Sequence, residues 1–307
     1  MPRKVLIATL ACLTLSAAMA QTEKRVLVVT AGGGDYLMAA GGTLANLIDE
    51  GYAVHVVQFA NDEKNSVGLN PAETRLANLE DCENAARMLG IREVLNLNHK
   101  SGELSQVSSN EMRNQLFALI RFFKPQIVFH PDPYIHYEPD WDQFWIARMA
   151  EEFSYGGSNY FLAELGRMGF PGVGVPETYY YATNRPYRPG EGGHNAAVLR
   201  PVDITRNFNR KVAAMQALRT YNHRYATQVK ARLEAASMPN PELREINEAS
   251  TRALVRAYVE ELAETIGQKH GLRYGEEFNY HGRGAPVPAH VREKARPVPQ
   301  SKPKAVP

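Results

Sequence analysis

The sequence predicts an α/β fold: a Rossmann-like, mostly parallel sheet wound by helices, with a C-terminal pair of long helices. Three observations carry this. Short apolar runs recur along the first half, stretches of helical periodicity separate them, and the links between the two are short. The first strand is VLVVT (residues 26–30), a continuous apolar run of the kind buried on both faces of a parallel sheet. Residues 37–50 follow with Leu44, Leu47 and Ile48 at helical spacing, and Gly51 stops them. AVHVVQFA (53–60) is the second strand, and 73–89 a helix with Leu76, Leu79, Cys82, Ala86 and Leu89 on one stripe before Gly90. EVLNL (93–97), EMRNQLFALIRFF (111–123) and QIVFH (126–130) add a strand, a helix and a strand. Later, TYYYAT and AVLRPVDI read as further strands, and residues 205–236 and 242–266 as two long helices separated by MPNP. Ligands of such sheets sit at the carboxyl ends of the strands, which singles out the loops 31–35, 60–70 and 130–145.

Composition sets the compartment and the partners. Residues 1–20 read as a signal peptide: Arg3 and Lys4, a short apolar core, and Ala18-Met19-Ala20 as the cleavage site. The chain is therefore expected to be secreted or periplasmic after cleavage near Ala20, with Cys82 as its one mature cysteine. Nothing later resembles a membrane span. Six Lys/Arg against one Glu give residues 283–307 a charge of +5, so the overall +2 hides a body of −5 over residues 5–282. An acidic body argues against a nucleic-acid partner. The expected organisation is a signal peptide (1–20), an α/β domain (21–236), a helical extension (237–281) and a disordered, basic, Pro-rich tail (282–307).

The stretch AGGGDYLMAAGGTL (31–44) raises the functional question. As a dinucleotide fingerprint it supplies Gly32 and Gly34, but Leu37 stands where the third glycine belongs, and no Gly-Lys-Ser/Thr follows to make a P-loop. Glycines at a strand-to-helix turn let a ligand approach the backbone, or simply make a tight turn. Asp35 also suits a helix N-cap.

The ordered set VLVVTA-GGGDY-LMAAGGTL, AARMLGI, SGEL, KPQIVFHPDPY and PVDIT resembles the PIG-L (LmbE-like) family of zinc-dependent N-acetylglucosamine deacetylases, over roughly residues 25–205. The resemblance implies an α/β domain acting on acylated sugars. It also implies a zinc-binding His, a base Asp and a zinc-binding Asp after the first strand, positions held here by Gly32, Gly34 and Asp35. The family's later His-Pro-Asp-His is matched by Glu138-Pro139-Asp140-Trp141, so Trp141 stands where the second metal-binding His belongs. Asp35 alone survives of the ligand set, and a catalytic zinc ordinarily needs three protein ligands. The sequence thus predicts no cofactor in the standard site. Zinc or another divalent cation enters only in a rearranged one, with His136 and Glu138 as further ligands.

Two readings follow for the pocket. In the first, a secreted, diverged and non-catalytic relative binds a glycan or other small molecule through Gly32, Gly33, Gly34, Asn61, Asp62 and Arg75. In the second, an amide hydrolase of the deacetylase type works with a rearranged metal or acid centre built from Asp35, His136 and Asp140 within the loop running from His130 to Asp142. His194 and His223 are lesser candidates.

Overall fold

The structure is a computed structural model that describes residues 23–135, 140–152, 160–191, 198–282 and 289–295. The expected signal peptide, His136, Glu138, His194 and most of the basic tail lie outside the described residues. The elements run β1 (Arg25–Thr30), α1 (Asp35–Asp49), β2 (Ala53–Ala60), α2 (Pro71–Leu89), β3 (Glu93–His99), α3 (Ser109–Phe123), β4 (Ile127–Pro131), α4 (Trp141–Glu151) and a short α5 (Ala163–Arg167). There follow β5 (Glu177–Tyr181), β6 (Val198–Asp203), α6 (Phe208–Ala217), α7 (Arg219–Ala235), α8 (Glu248–His270), β7 (Gly275–His281) and α9 (Ala289–Lys294). They build one seven-stranded sheet of order β3-β2-β1-β4-β5-β7-β6. Strands β1 to β5 pair in parallel, and β7 lies antiparallel between β5 and β6. This is the expected α/β class.

The apolar run of β1 is explained by two cores. Val26 and Val28 join the face covered by α1, α2, α6 and α8, whereas Leu27 and Val29 join the face covered by α3 and α4. Helix α2 begins at Pro71, two residues before the expected start, because Asn70 and Glu73 close a capping box there. Gly90 ends it at φ 84°, a conformation that suits glycine.

Two departures bear on the pocket. The helix expected over 205–236 breaks at Leu218 (φ −76°, ψ 61°), and the Asn222 amide takes up the freed carbonyl of Met215 at 2.7 Å. Thr220 N–H donates to Asp81 Oδ2 at 2.7 Å, anchoring α7 on α2. The break turns α7 towards the glycine loop. The stretch expected as a helical extension ends in a strand, β7, inside the sheet. Its adjacent buried acids hid it, since neither suits a strand interior. Both are matched. Glu276 accepts from Lys211 Nζ (2.8 Å) and from the N–H groups of Gly42 and Thr43 in α1 (2.9 and 2.8 Å). Glu277 accepts from Lys269 Nζ (2.9 Å) and Tyr187 N–H (2.8 Å) and pairs with His270 at 2.5 Å.

The Gly41-Gly42 pair belongs to this packing. A Cβ on Gly42 would stand 2.6 Å from Ile204 Cβ, and one on Gly41 would stand 3.2 Å from Lys211 Cγ. Those glycines let α1 sit against the segment that carries Lys211. Among the described residues, no helix is long and apolar enough to cross a membrane.

Candidate functional site

A cavity of about 300 Å³ opens where β1 and β2 end, at the small end of the range for ligand pockets. Its floor is the turn Ala31–Gly34. Ala31 accepts from Ala60 N–H (2.9 Å) and its own N–H donates to Gln143 Oε1 (3.2 Å), which fixes the turn between β2 and α4. A Cβ on Gly33 would lie 2.1 Å from Cys82 Sγ, so the thiol of α2 fills the space beneath the loop. Burial, with the charge of Asp62, pushes that thiol well up, and Cys82 stays a neutral packing group. Gly34, not Asp35, occupies the N-cap of α1. Asp35 opens the helix and places its carboxylate in the first turn, at the positive end of the dipole.

Asp62 is the central group of the pocket. It is buried in the left-handed region (φ 55°) at the end of β2. Its Oδ2 accepts from Gly33 N–H (3.0 Å) and Gln58 Nε2 (2.7 Å), and its Oδ1 from Asn65 Nδ2 (2.9 Å). Burial raises its pKa to about 6, and Asp140 adds to the rise, against the pull of the Gly33, Asn65 and Gln58 donors. Its placement explains the missing side chain at position 32. A Cβ there would point at Asp62 Oδ1 (3.0 Å) and Asp35 Oδ2 (3.4 Å). Two carboxylates therefore border the volume that the resemblance assigns to a zinc-binding imidazole.

The rest of the wall comes from three directions. Asp140 caps α4, accepting from the N–H groups of Asp142 (2.9 Å) and Gln143 (3.2 Å). Asp142 accepts from the N–H groups of Gly102 (2.5 Å) and Leu104 (3.1 Å), tying the β3 loop to α4, and burial raises its pKa. Lys64 and Asn65 line the side of the β2 loop, and Leu218 at the break with Tyr221 and Arg224 of α7 line the cavity from the later part of the chain.

The predicted site residues separate accordingly. Gly32, Gly33, Gly34, Asp35, Asp62 and Asp140 converge on the cavity. Asn61 is buried and bonds to Ser101 and Glu63, and Arg75 reaches outwards to Asn98, so neither lines it. His130 is fully buried on β4, with Nδ1 2.7 Å from the Pro131 carbonyl and its ring 4.2 Å from that of Tyr180. Burial lowers its pKa to about 3, which keeps the imidazole neutral. Asp132 bonds to Tyr187 and Asn279 beneath β5 and β7, away from the cavity. His223 is exposed on the outer face of α7. Missing from the sequence reading are Tyr221 and Arg224, which only the break at Leu218 brings to the pocket.

The donors described at the standard zinc positions do not make up a zinc site, and the proposed rearranged ligands His136 and Glu138 lie outside the described residues. Gly32 offers no ligand, Trp141 is 67% exposed and cannot coordinate, and Asp142 is held by two backbone N–H groups. Among the described residues, no three His, Cys, Asp or Glu side chains are placed to share an ion.

An α/β sheet with a polar pocket at its carboxyl edge defines the class, and comparison with known proteins shows what part of the chain is similar to. Residues 27–142 match the family model described as PIG-L: GlcNAc-PI de-N-acetylase. A diacetylchitobiose deacetylase from Thermococcus kodakarensis is 28% identical over 117 residues, covering 38% of this chain and 43% of that protein, less than half its length. The fold is shared with the N,N'-diacetylchitobiose deacetylase of Pyrococcus horikoshii (TM-score 0.65, 23% identity, 85% of each chain covered). It is also shared with the 4-carboxy-2-hydroxymuconate hydratase of Pseudomonas putida KT2440 (TM-score 0.62, 19% identity, 86% of this chain and 98% of that one). The chain is thus related to deacetylases of GlcNAc-type sugars.

Proposed function

We propose that the cavity binds a GlcNAc-type sugar derivative through hydrogen bonds to its carboxylates and from its amide and guanidinium groups, and that the standard zinc-dependent deacetylation has been lost. The observation that carries this reading is the glycine at position 32, with Asp35 and Asp62 bordering the space its side chain would fill. Carboxylates accept from sugar hydroxyls, and Asn65 and Arg224 donate to them. The family relationship supports the ligand class. The leader of the sequence supports export, with a mature chain beginning at Gln21. Isothermal titration with N-acetylglucosamine and N,N'-diacetylchitobiose, in chelator and then in added zinc, tests the reading. Binding is expected in chelator, unchanged by zinc and without release of acetate. Acetate released only when zinc is present would overturn it.

A second reading is favoured by the pKa of Asp62, about 6, which suits a general acid or base near neutral pH. Asp62 and Asp35 would then run metal-free hydrolysis. That reading requires acetate release in chelator, with a pH profile breaking near 6 that Asp62→Asn abolishes.

A further inference from the structure

A second cavity, of about 100 Å³, lies beside the first and shares Gly34, Asp35 and Tyr221 with it. The break at Leu218 and the docking of α8 against α7 bring Met215, Tyr221, Tyr225 and Tyr258, all beyond the match at 27–142, against Gly34, Asp35 and Met38 of α1 and its turn. Tyr221 and Tyr225 come from α7, Tyr258 from α8, and Met38 and Met215 close its apolar side. The rings of Tyr225 and Tyr258 stand 5.5 Å apart at 31°, forming one aromatic wall. Asp35 is the one charged side chain lining the cavity among the described residues.

We propose that this side cavity is a subsite for a compact organic ammonium group, held between the three tyrosines and the Asp35 carboxylate. Size and charge together select that chemistry. The volume equals that of about three waters at roughly 30 Å³ each, too little for a whole pyranose ring. Aromatic faces attract a cation through the ring quadrupole, and a carboxylate adds a direct Coulomb partner. An anion would be repelled by the Asp35 carboxylate, and a neutral group would gain nothing from its charge. Burial, reinforced by the charge of Asp35, raises the phenol pKa values of Tyr221 and Tyr258, so both rings stay neutral. The charged groups facing these rings from their own helix are Arg224 near Tyr221 and Arg232 near Tyr225. Glu261 of α8 faces Tyr225 and Tyr258. The methionines contribute polarizable, adaptable packing to N-methyl groups.

The proposal does not depend on the sugar reading of the main cavity, and its test is separate. Titrate the full chain with tetramethylammonium chloride and, at matched ionic strength, with neopentyl alcohol, a neutral analogue that keeps the four-branched centre and adds a hydroxyl, following tyrosine fluorescence. Saturable binding of the cation is expected, with the alcohol at least tenfold weaker. Asp35→Asn should weaken the cation at least tenfold and leave the alcohol unchanged. Tyr258→Phe keeps the ring and should bind within twofold of the unaltered chain, whereas Tyr258→Leu should lose about two- to thirtyfold, the span expected of a cation–π contact. Equal affinity for the two ligands, no saturable binding, or a Tyr258→Phe loss as large as that of Tyr258→Leu would overturn the proposal. If Tyr258→Leu fails to fold, the neutral analogue and Tyr258→Phe still decide it.

Discussion

Gly33 and Cys82 fit each other so closely that neither position is independent. The Gly33 Cβ that alanine would add falls 2.1 Å from the Cys82 sulfur, inside van der Waals contact. Gly33→Ala is expected to cost about 1–3 kcal/mol by overpacking. Cys82→Ala should recover most of that loss in the double variant, as read by urea unfolding of all four chains. Additive losses would contradict the packing account. Asp62 gives a prediction in pH. Its carboxyl keeps a proton to about pH 6 in the folded chain, against 3.8 for an ordinary aspartate, so over that interval the unfolded chain binds fewer protons. Its contribution to stability is complete below about 4 and is lost as pH rises through about 6, by roughly 3 kcal/mol at most. Asp132, also raised to about 6, adds in the same sense. Asp62→Asn should therefore lose less stability between pH 4 and pH 7 than the unaltered chain. An equal loss in both would contradict the assignment. The sequence marked Asp62 as a sugar contact. What it does not show is that Gln58, Asn65 and the Gly33 N–H close round that carboxylate, because burial arises only when β1 and β2 pair.

At the scale of elements, the Gly-Gly pair of α1 and the charged strand β7 explain each other. Gly42→Ala gains roughly 1 kcal/mol of helix propensity but places a methyl 2.6 Å from Ile204 Cβ. The overlap dominates, and a net loss of about 1–3 kcal/mol is expected, partly restored by Ile204→Ala. A stabilised Gly42→Ala would refute the close approach. Lys211→Met leaves the Glu276 carboxylate buried with backbone donors alone and should cost about 3–5 kcal/mol in thermal or urea unfolding. An unchanged midpoint would contradict a charged buried pair. Much of the fold was readable at this level: β1 to β4 and α1 to α3 follow from apolar runs, helical spacing and caps. Strand β7 was not, because Glu276 and Glu277 break the strand pattern and their partners lie on α1, α6 and α8. Nor was the break at Leu218, where residues 205–236 carry one continuous helical pattern and the interruption is set by contacts to Asp81 and Met215.

Across the molecule, the family-matched segment 27–142 supplies the glycine turn and the acids, and the later part supplies a wall of tyrosines and one arginine. The loops that the α/β topology selected do border the pocket, which is why Asp35, Asp62 and Asp140 were legible as residues lining this cavity. The α7 wall was not, since its place depends on how two later helices dock. Residues 275–281 bridge β5 and β6, so a chain ending at Arg273 should fail to fold cooperatively by far-UV and near-UV circular dichroism. The proposed function rests on acids standing in this pocket in place of a metal site. The most direct test is elemental analysis of the purified chain and its Asp35→Ala variant after dialysis against zinc. The account predicts far less than one zinc per chain in both, with no difference between them. One zinc per chain, lost in Asp35→Ala, would contradict it.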